Sequence, residues 1–239
     1  MNIAVIFAGG TGQRMNTRTR PKQFLEVHSK PIIIYTLEVF ENSPKIDGIV
    51  ITCLESWIDY CRELVHRYGI RKVIDIVPGG ETGQLSICRG VERAAEKFGE
   101  DSIILVHDGV RPLIDQETIS SAIECVKKNG SAITVAPAVE TITVRTDSEE
   151  VGEIIDRSRC CLAKAPQCFY LGELLSAHRK AKQEGRVDFI DSASLMRYYG
   201  HTLYTVQGKP ENIKITTPSD FYIFRAILDA QENQQVCGV

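Results

Sequence analysis

Ile3-Ala4-Val5-Ile6-Phe7, followed by Ala8-Gly9-Gly10-Thr11-Gly12-Gln13-Arg14-Met15, opens the chain and sets the frame for the rest. The first five residues are apolar and mostly β-branched, the pattern of a strand buried on both faces. Three glycines within the next five positions let the backbone turn sharply and come close to a ligand. Free N–H groups in such a turn suit phosphate oxygens. Arg14 and Lys22 add charge-assisted donors for the same anion. Strand and loop therefore predict a triphosphate-holding turn at the carboxyl end of the first strand. The alternative is a plain strand-to-helix connection with surface charges. Two standard phosphate motifs are excluded. A dinucleotide fingerprint needs a third glycine where Met15 stands, and a Walker A loop needs Gly-Lys-Ser/Thr where the chain has Gly12-Gln13-Arg14.

Working outward, short apolar runs alternate with longer amphipathic ones. The spacing predicts helices over 31–40, 56–68, 82–98, 118–129 and 171–183, with shorter strands at 49–53, 72–77, 102–106 and 131–135 between them. This alternation is the signature of βαβ units on a parallel sheet. Ligands bind such sheets outside the carboxyl ends of the strands. There the chain carries Gly9 to Arg14, then Gly79-Gly80-Glu81, then His107-Asp108-Gly109-Val110-Arg111-Pro112. From Ile142 the pattern changes. Ile142-Thr143-Val144-Arg145 and Glu153-Ile154-Ile155-Asp156 read as two strands of a hairpin leaving the body, an arm whose exposed edges suit dimerisation. Further on, a helix runs from Phe189 to Tyr199, strands cover 203–206 and 212–216, and Thr217-Pro218-Ser219-Asp220 opens a last helix that frays after Gln231. The expected fold is α/β: one Rossmann-like, mainly parallel sheet with helices on both faces and a protruding β-hairpin arm. Residues 1–239 form a single domain, with 139–165 as the dimerisation arm.

Bulk properties narrow the function. A formal net charge of −3 offers no general attraction for nucleic acid. No apolar run reaches the roughly 18–20 residues that span a bilayer. The eight cysteines form no Cys-x-x-Cys pair, and no His stands at zinc-finger spacing from them. Buried free thiols and the lack of a leader pattern lead to the expectation of a reducing cytoplasm.

Asp108 follows a buried strand, and near a triphosphate loop it is a natural Mg²⁺ ligand; as an alternative, it pairs with Arg111 to fix the turn. Lys214 lies among apolar residues on a short strand, and His107 reads as a hydrogen-bonded structural residue. Together with Pro21-Lys22-Gln23, Ala165-Pro166-Gln167-x-Phe169 and Asn212-Ile213-Lys214-Ile215-Thr216-x-Pro218-x-Asp220, the motifs above occur in an order that resembles the cytidylyltransferases acting on polyol phosphates. The resemblance covers nearly the whole chain. It implies a nucleotidyltransferase that converts CTP and a polyol phosphate into a CDP-polyol and pyrophosphate. It implies Mg²⁺, and a homodimer whose arms reach the neighbouring site. By position, Arg14, Lys22 and Lys214 would be catalytic. Ala8, Gly9, Gly10, Gly12, Gly80, Glu81 and Ser86 would bind the nucleotide. Asp108, Thr141 and Arg157 would border the acceptor, Asp108 also holding the metal and Arg157 serving the partner subunit.

The chain departs from that pattern at the acceptor side. Gly83 replaces a usual Arg, Ala165 a usual Thr, and Ile190-Asp191-Ser192-Ala193-Ser194 stands where methylerythritol enzymes typically read Thr-Asp-Glu-Ala-Ser. Lost hydroxyls and a lost carboxylate change what a polyol pocket accepts. The double glycine and Ile215-Thr216-Thr217-Pro218 lean toward ribitol 5-phosphate, with 2-C-methyl-D-erythritol 4-phosphate as the alternative and another polyol or a phosphonate also open. An inactive nucleotide-binding module and an NAD-type oxidoreductase are the competing classes. The presence of Arg14, Lys22, Asp108 and Lys214 opposes the first, and the missing third glycine opposes the second.

Overall fold

The computed structural model describes residues 1–10 and 20–237. Along β1 (Asn2–Ala8), alternate side chains point to opposite faces of a sheet and both sets are buried. Next come a short ribbon of β2 (Glu26–Val27) and β3 (Lys30–Pro31), then α1 (Ile32–Glu41), β4 (Gly48–Cys53), α2 (Ile58–Arg67) and β5 (Val73–Pro78). Then follow α3 (Gly83–Phe98), β6 (Ile103–Asp108), α4 (Gln116–Asn129) and β7 (Ser131–Pro137). The hairpin β8 (Ile142–Arg145) and β9 (Val151–Ile155) precedes β10 (Cys161–Tyr170) and α5 (Leu171–Gln183). The chain ends with α6 (Ser192–Tyr198), β11 (Thr205–Gln207) and α7 (Pro218–Cys237).

Seven strands form the central sheet in the order β11-β7-β10-β6-β1-β4-β5. All neighbours run parallel except β10, which is antiparallel to both β6 and β7. Ala4, Ile6 and Ala8 of β1 pack toward α1, α2 and α4, while Ile3 and Val5 pack toward α3, α5 and α6. Helices thus cover both faces, as expected for parallel strands joined by crossovers. A third cluster, Val27, Ile32, Val110, Ile215 and Phe224, docks α7 beside the carboxyl end of β6. Gly90 of α3 permits a close helix–sheet approach, since a Cβ there would lie 2.6 Å from Val5 Cγ1 and 2.7 Å from Thr52 Cγ2.

The mainly parallel sheet, the helices on both faces and the projecting hairpin agree with the sequence expectation. Several details differ, among them the unexpected β2–β3 ribbon. β10 was not anticipated, and its first residues, counted within the arm by the 139–165 boundary, pair instead with β7, Cys161 opposite Pro137. Residues 212–216 form no strand. They run as a loop with one sheet-like bond, Ile215 N–H to Val110 O at 2.9 Å, because Thr216 and Thr217 N–H are taken by Asp220. The last helix continues past Gln231 to Cys237. Strand limits in the hairpin shift toward the turn, to Val151–Ile155 for the second strand.

Candidate active site

The carboxyl ends of β1 and β6 meet at the cavities beside Asp108; the end of β5 lies near that of β1, with Ser86 near both Gly9 and Gly79, but Gly80, Glu81 and Ser86 line neither cavity. Gln23 is buried and donates from Nε2 to Ala8 O at 2.6 Å, tying the 3₁₀ turn of Lys22–Phe24 to the end of β1. Lys22 is itself largely buried. At the end of β5, Gly79 N–H donates to Cys53 O at 2.6 Å. The Ser86 hydroxyl accepts from Gly80 N–H at 2.9 Å and donates to Thr82 O at 2.9 Å. Ser86 thereby shapes the turn from below. Gly80 admits no side chain, as its Cβ would lie 2.5 Å from that of Leu85. Glu81 beside it is exposed. Thr82 caps α3, accepting from Leu85 N–H at 3.1 Å.

Asp108 ends β6 and is the centre of the charged group. Its Oδ1 lies 2.7 Å from Lys214 Nζ and its Oδ2 2.8 Å from Arg111 Nε. Burial works against its charge, but Lys214 and Arg111 outweigh it and hold the carboxyl well below the usual carboxylate range. Lys214 keeps its place because Asp220 Oδ2 accepts from Thr216 and Thr217 N–H at 2.8 and 2.7 Å, while Thr217 Oγ1 accepts from Asp220 N–H at 3.3 Å. This is a reciprocal cap at the start of α7, with Pro218 in its first turn. His107 is buried, and its Nε2 lies 3.1 Å from Arg111 O. Burial pushes its pKa down to about 4, so it is a neutral structural residue, as the sequence suggested.

Two adjoining cavities meet at this pair. One, of about 140 Å³, is lined by Ala8, Gly10, Lys22, Gln23, Asp108 and Lys214 among others. The second, of about 250 Å³, is lined by Asp108, Arg111, Lys164, Gln167, Asp191 and Lys214 among others. Phe7, Asp108 and Lys214 belong to both walls. Asp191 is fixed by Gln167 Nε2 at 2.8 Å and caps α6 through Ser194 N–H at 2.8 Å. Gly12 and Arg14 lie outside the described residues. Thr141 and Arg157 sit exposed at the base of the hairpin, where Arg157 Nη1 donates to Val139 O at 2.8 Å, and neither lines these cavities.

Two cations of the second cavity, Arg111 and Lys164, lie outside the site that the sequence predicts. Arg111 reads from the sequence as a partner of Asp108, and its second contact, Nη1 to Asn212 O at 2.9 Å, ties the β6 turn to the Lys214 loop. Lys164 gave no signal, being one lysine in Leu162-Ala163-Lys164-Ala165. Burial, and then the Arg111 guanidinium, lower its pKa below the ordinary lysine value. The charges can hold a polyphosphate on one side of Asp108 and a second anion on the other. Among the described residues no helix is long and apolar enough to cross a membrane.

Comparison with known proteins agrees with this chemistry. Residues 2–230 match the model for IspD, 2-C-methyl-D-erythritol 4-phosphate cytidylyltransferase. A Streptococcus agalactiae serotype V protein named ribitol-5-phosphate cytidylyltransferase is 52% identical over 239 residues, covering 100% of both chains. A Vibrio parahaemolyticus protein of the same name is 53% identical over 238 residues, again covering 100% of both. The crystal structure of 4-diphosphocytidyl-2C-methyl-D-erythritol synthase from Anaerococcus prevotii superposes with a TM-score of 0.83 at 25% identity, covering 96% of each chain. A cation-lined pair of cavities at the carboxyl ends of a parallel sheet, and matches that span nearly every residue, lead to one conclusion: the chain belongs to the IspD family of cytidylyltransferases and is a nucleotidyltransferase.

Proposed function

We propose that the protein is a ribitol 5-phosphate cytidylyltransferase, joining CMP to the acceptor's phosphate and releasing pyrophosphate. The observation that carries this reading is the Asp108–Lys214 pair standing in the wall between two cavities. The smaller cavity suits the triphosphate, through Gly10 and Lys22. The larger suits a phosphorylated acceptor, through Arg111 and Lys164. The acceptor's phosphate is already an anionic nucleophile, so no general base is required. The residues have to place it in line with the α-phosphate and neutralise charge on both groups. Lys214 reaches both compartments and is suited to the α-phosphate, with Lys22 on the triphosphate side.

Mg²⁺ is part of the proposal. Asp108 lines both cavities, and each of its oxygens carries only one of these ion-pair contacts, which leaves lone pairs for a metal. Mg²⁺ takes one or two carboxylates and completes its shell with phosphate oxygens and water, so it needs no larger acidic cluster. Bound there with the triphosphate, it would neutralise developing charge. The homodimer also belongs here. Val144, Val151 and Ile154 are exposed apolar residues on the hairpin, a surface suited to a second copy whose Thr141 and Arg157 would complete the acceptor site. Buried free thiols at Cys53, Cys61, Cys88 and Cys168 support a cytoplasmic setting.

The acceptor assignment rests on the two full-length relatives and on Ala165 and Ser192, which replace the Thr and Glu of the methylerythritol pattern. Pyrophosphate release from CTP should be measured with ribitol 5-phosphate and with 2-C-methyl-D-erythritol 4-phosphate. The expected kcat/KM ratio favours ribitol 5-phosphate by on the order of 100-fold. Parity or the reverse order overturns the assignment, and CTP binding without turnover on any polyol phosphate would indicate a nucleotide-binding module.

A further inference from the structure

Lys164 lies where the β10–β7 ladder loses register, between Ala163 and Gln167. Side chains take up the main-chain oxygens left there: Thr134 Oγ1 donates to Pro166 O at 2.7 Å and Asn212 Nδ2 to Ala165 O at 2.7 Å. Lys164 Nζ crosses this break and donates to Pro210 O at 3.0 Å and Asn212 O at 3.1 Å. Arg111 Nη1 donates to the same Asn212 oxygen at 2.9 Å. Two cations therefore converge on one neutral carbonyl. Arg111 has Asp108 beside it, whereas the contacts of Lys164 are carbonyls, and Glu211 attracts it only as the weakest of its influences. The cavity wall carries three cations, Arg111, Lys164 and Lys214, against Asp108 and Asp191, and Asp191 is committed to Gln167 and to capping α6. An ammonium group has three donors, and two of those on Lys164 are in use.

We propose that Lys164 and Arg111 together receive the phosphate of the acceptor, Lys164 with its remaining N–H, so that the cavity selects its substrate by the anion as well as by the polyol. An arriving phosphate relieves the repulsion between the two cations and supplies the oxygens that neither carbonyl can replace. The proposal rests on the cytidylyltransferase reading and deepens it. Lys164 holds the acceptor and leaves the nucleotide untouched, because it lines only the larger cavity. A purely structural role, tying down the Pro210–Lys214 segment, would instead disturb Lys214 and with it the nucleotide side.

The test compares wild type, Lys164→Met and Lys164→Arg, with thermal melting as the check on folding. For Lys164→Met the KM for ribitol 5-phosphate should rise about 10- to 100-fold, with the KM for CTP within about twofold of wild type. Lys164→Arg, which keeps the charge, should recover most of the loss. Calorimetry of ribitol 5-phosphate binding in the presence of a non-hydrolysable CTP analogue should show the same order. A fall in kcat with a raised CTP KM and an unchanged acceptor KM would overturn the proposal, as would equal losses in the Met and Arg variants. If wild type binds ribitol 5-phosphate but transfers nothing, the activity fails while the binding comparison still decides the role of Lys164.

Discussion

Lys214 is one of three residues that line both cavities. Its Nζ is 2.7 Å from Asp108 Oδ1, and its side chain, 38% exposed, carries little of the core. Lys214→Ala should lower kcat/KM by about 10³-fold while the melting temperature stays close to that of wild type. Asp108 is the worse choice for such a test, since removing it takes the carboxylate from Arg111, whose side chain is largely buried. A second residue-scale prediction concerns His178 of α5. It is buried with no hydrogen-bond partner on either ring nitrogen among the described residues, and burial pushes its pKa from 6.5 down to about 4. His107 shifts the same way, to about 4, for the same first cause. As pH falls below about 6.5 the unfolded chain takes up protons that the folded chain refuses. These neutral imidazoles therefore leave stability intact above that pH and diminish it progressively toward pH 4. Urea midpoints should fall between pH 7.5 and pH 5, and less steeply in His178→Leu. Asp108 and Lys214 were legible in the sequence because their neighbours form motifs. Lys164 was not, because what places it in the cavity wall is a bond to a carbonyl 48 positions later in the chain.

At the scale of elements, the cap on α7 holds the segment that carries Lys214. Asp220 accepts both Thr216 and Thr217 N–H, which fixes the loop that presents Lys214. Asp220→Ala should cost about 1–2 kcal/mol of stability and should lower turnover beyond what that loss explains. The paired readouts are the urea midpoint and kcat measured well below the melting range; a stability loss with unchanged kcat would separate the cap from the site. This helix start was legible from Thr217-Pro218-Ser219-Asp220, whose residue types each have a local reason to be there. Residues 212–216 misled because their apolar and polar alternation is that of a strand, whereas their N–H groups find Val110 O and Asp220. β10 was hidden for the opposite reason. Pro166 and Lys164 in its middle argue against a strand, and only the register break lets the sheet accommodate them.

For the whole molecule, the parallel alternation was legible as far as β7 because each βαβ unit writes both periodicities locally, as in Gly48–Cys53 followed by α2. The strand order was not, since it is decided by pairings between distant segments. The arm yields a prediction at this scale. In a mixed dimer with Arg157→Ala on one chain and Lys22→Ala on the other, arm exchange leaves one site with both residues intact, and about half the wild-type activity is expected. Activity of that size should appear only on mixing; its absence would contradict exchange. The antiparallel β10 has a further consequence, for the way the protein is made. In the sheet, β7 and β11 connect to β6 only through β10. During synthesis, β1, β4, β5 and β6 can assemble while the ribosome is still translating α4 and the arm. The open side of β6 then stays a templating edge until residues 161–170 emerge to cover it. Nascent chains stopped just after the hairpin should therefore be the most chaperone-dependent and aggregation-prone, and ten further residues should relieve both.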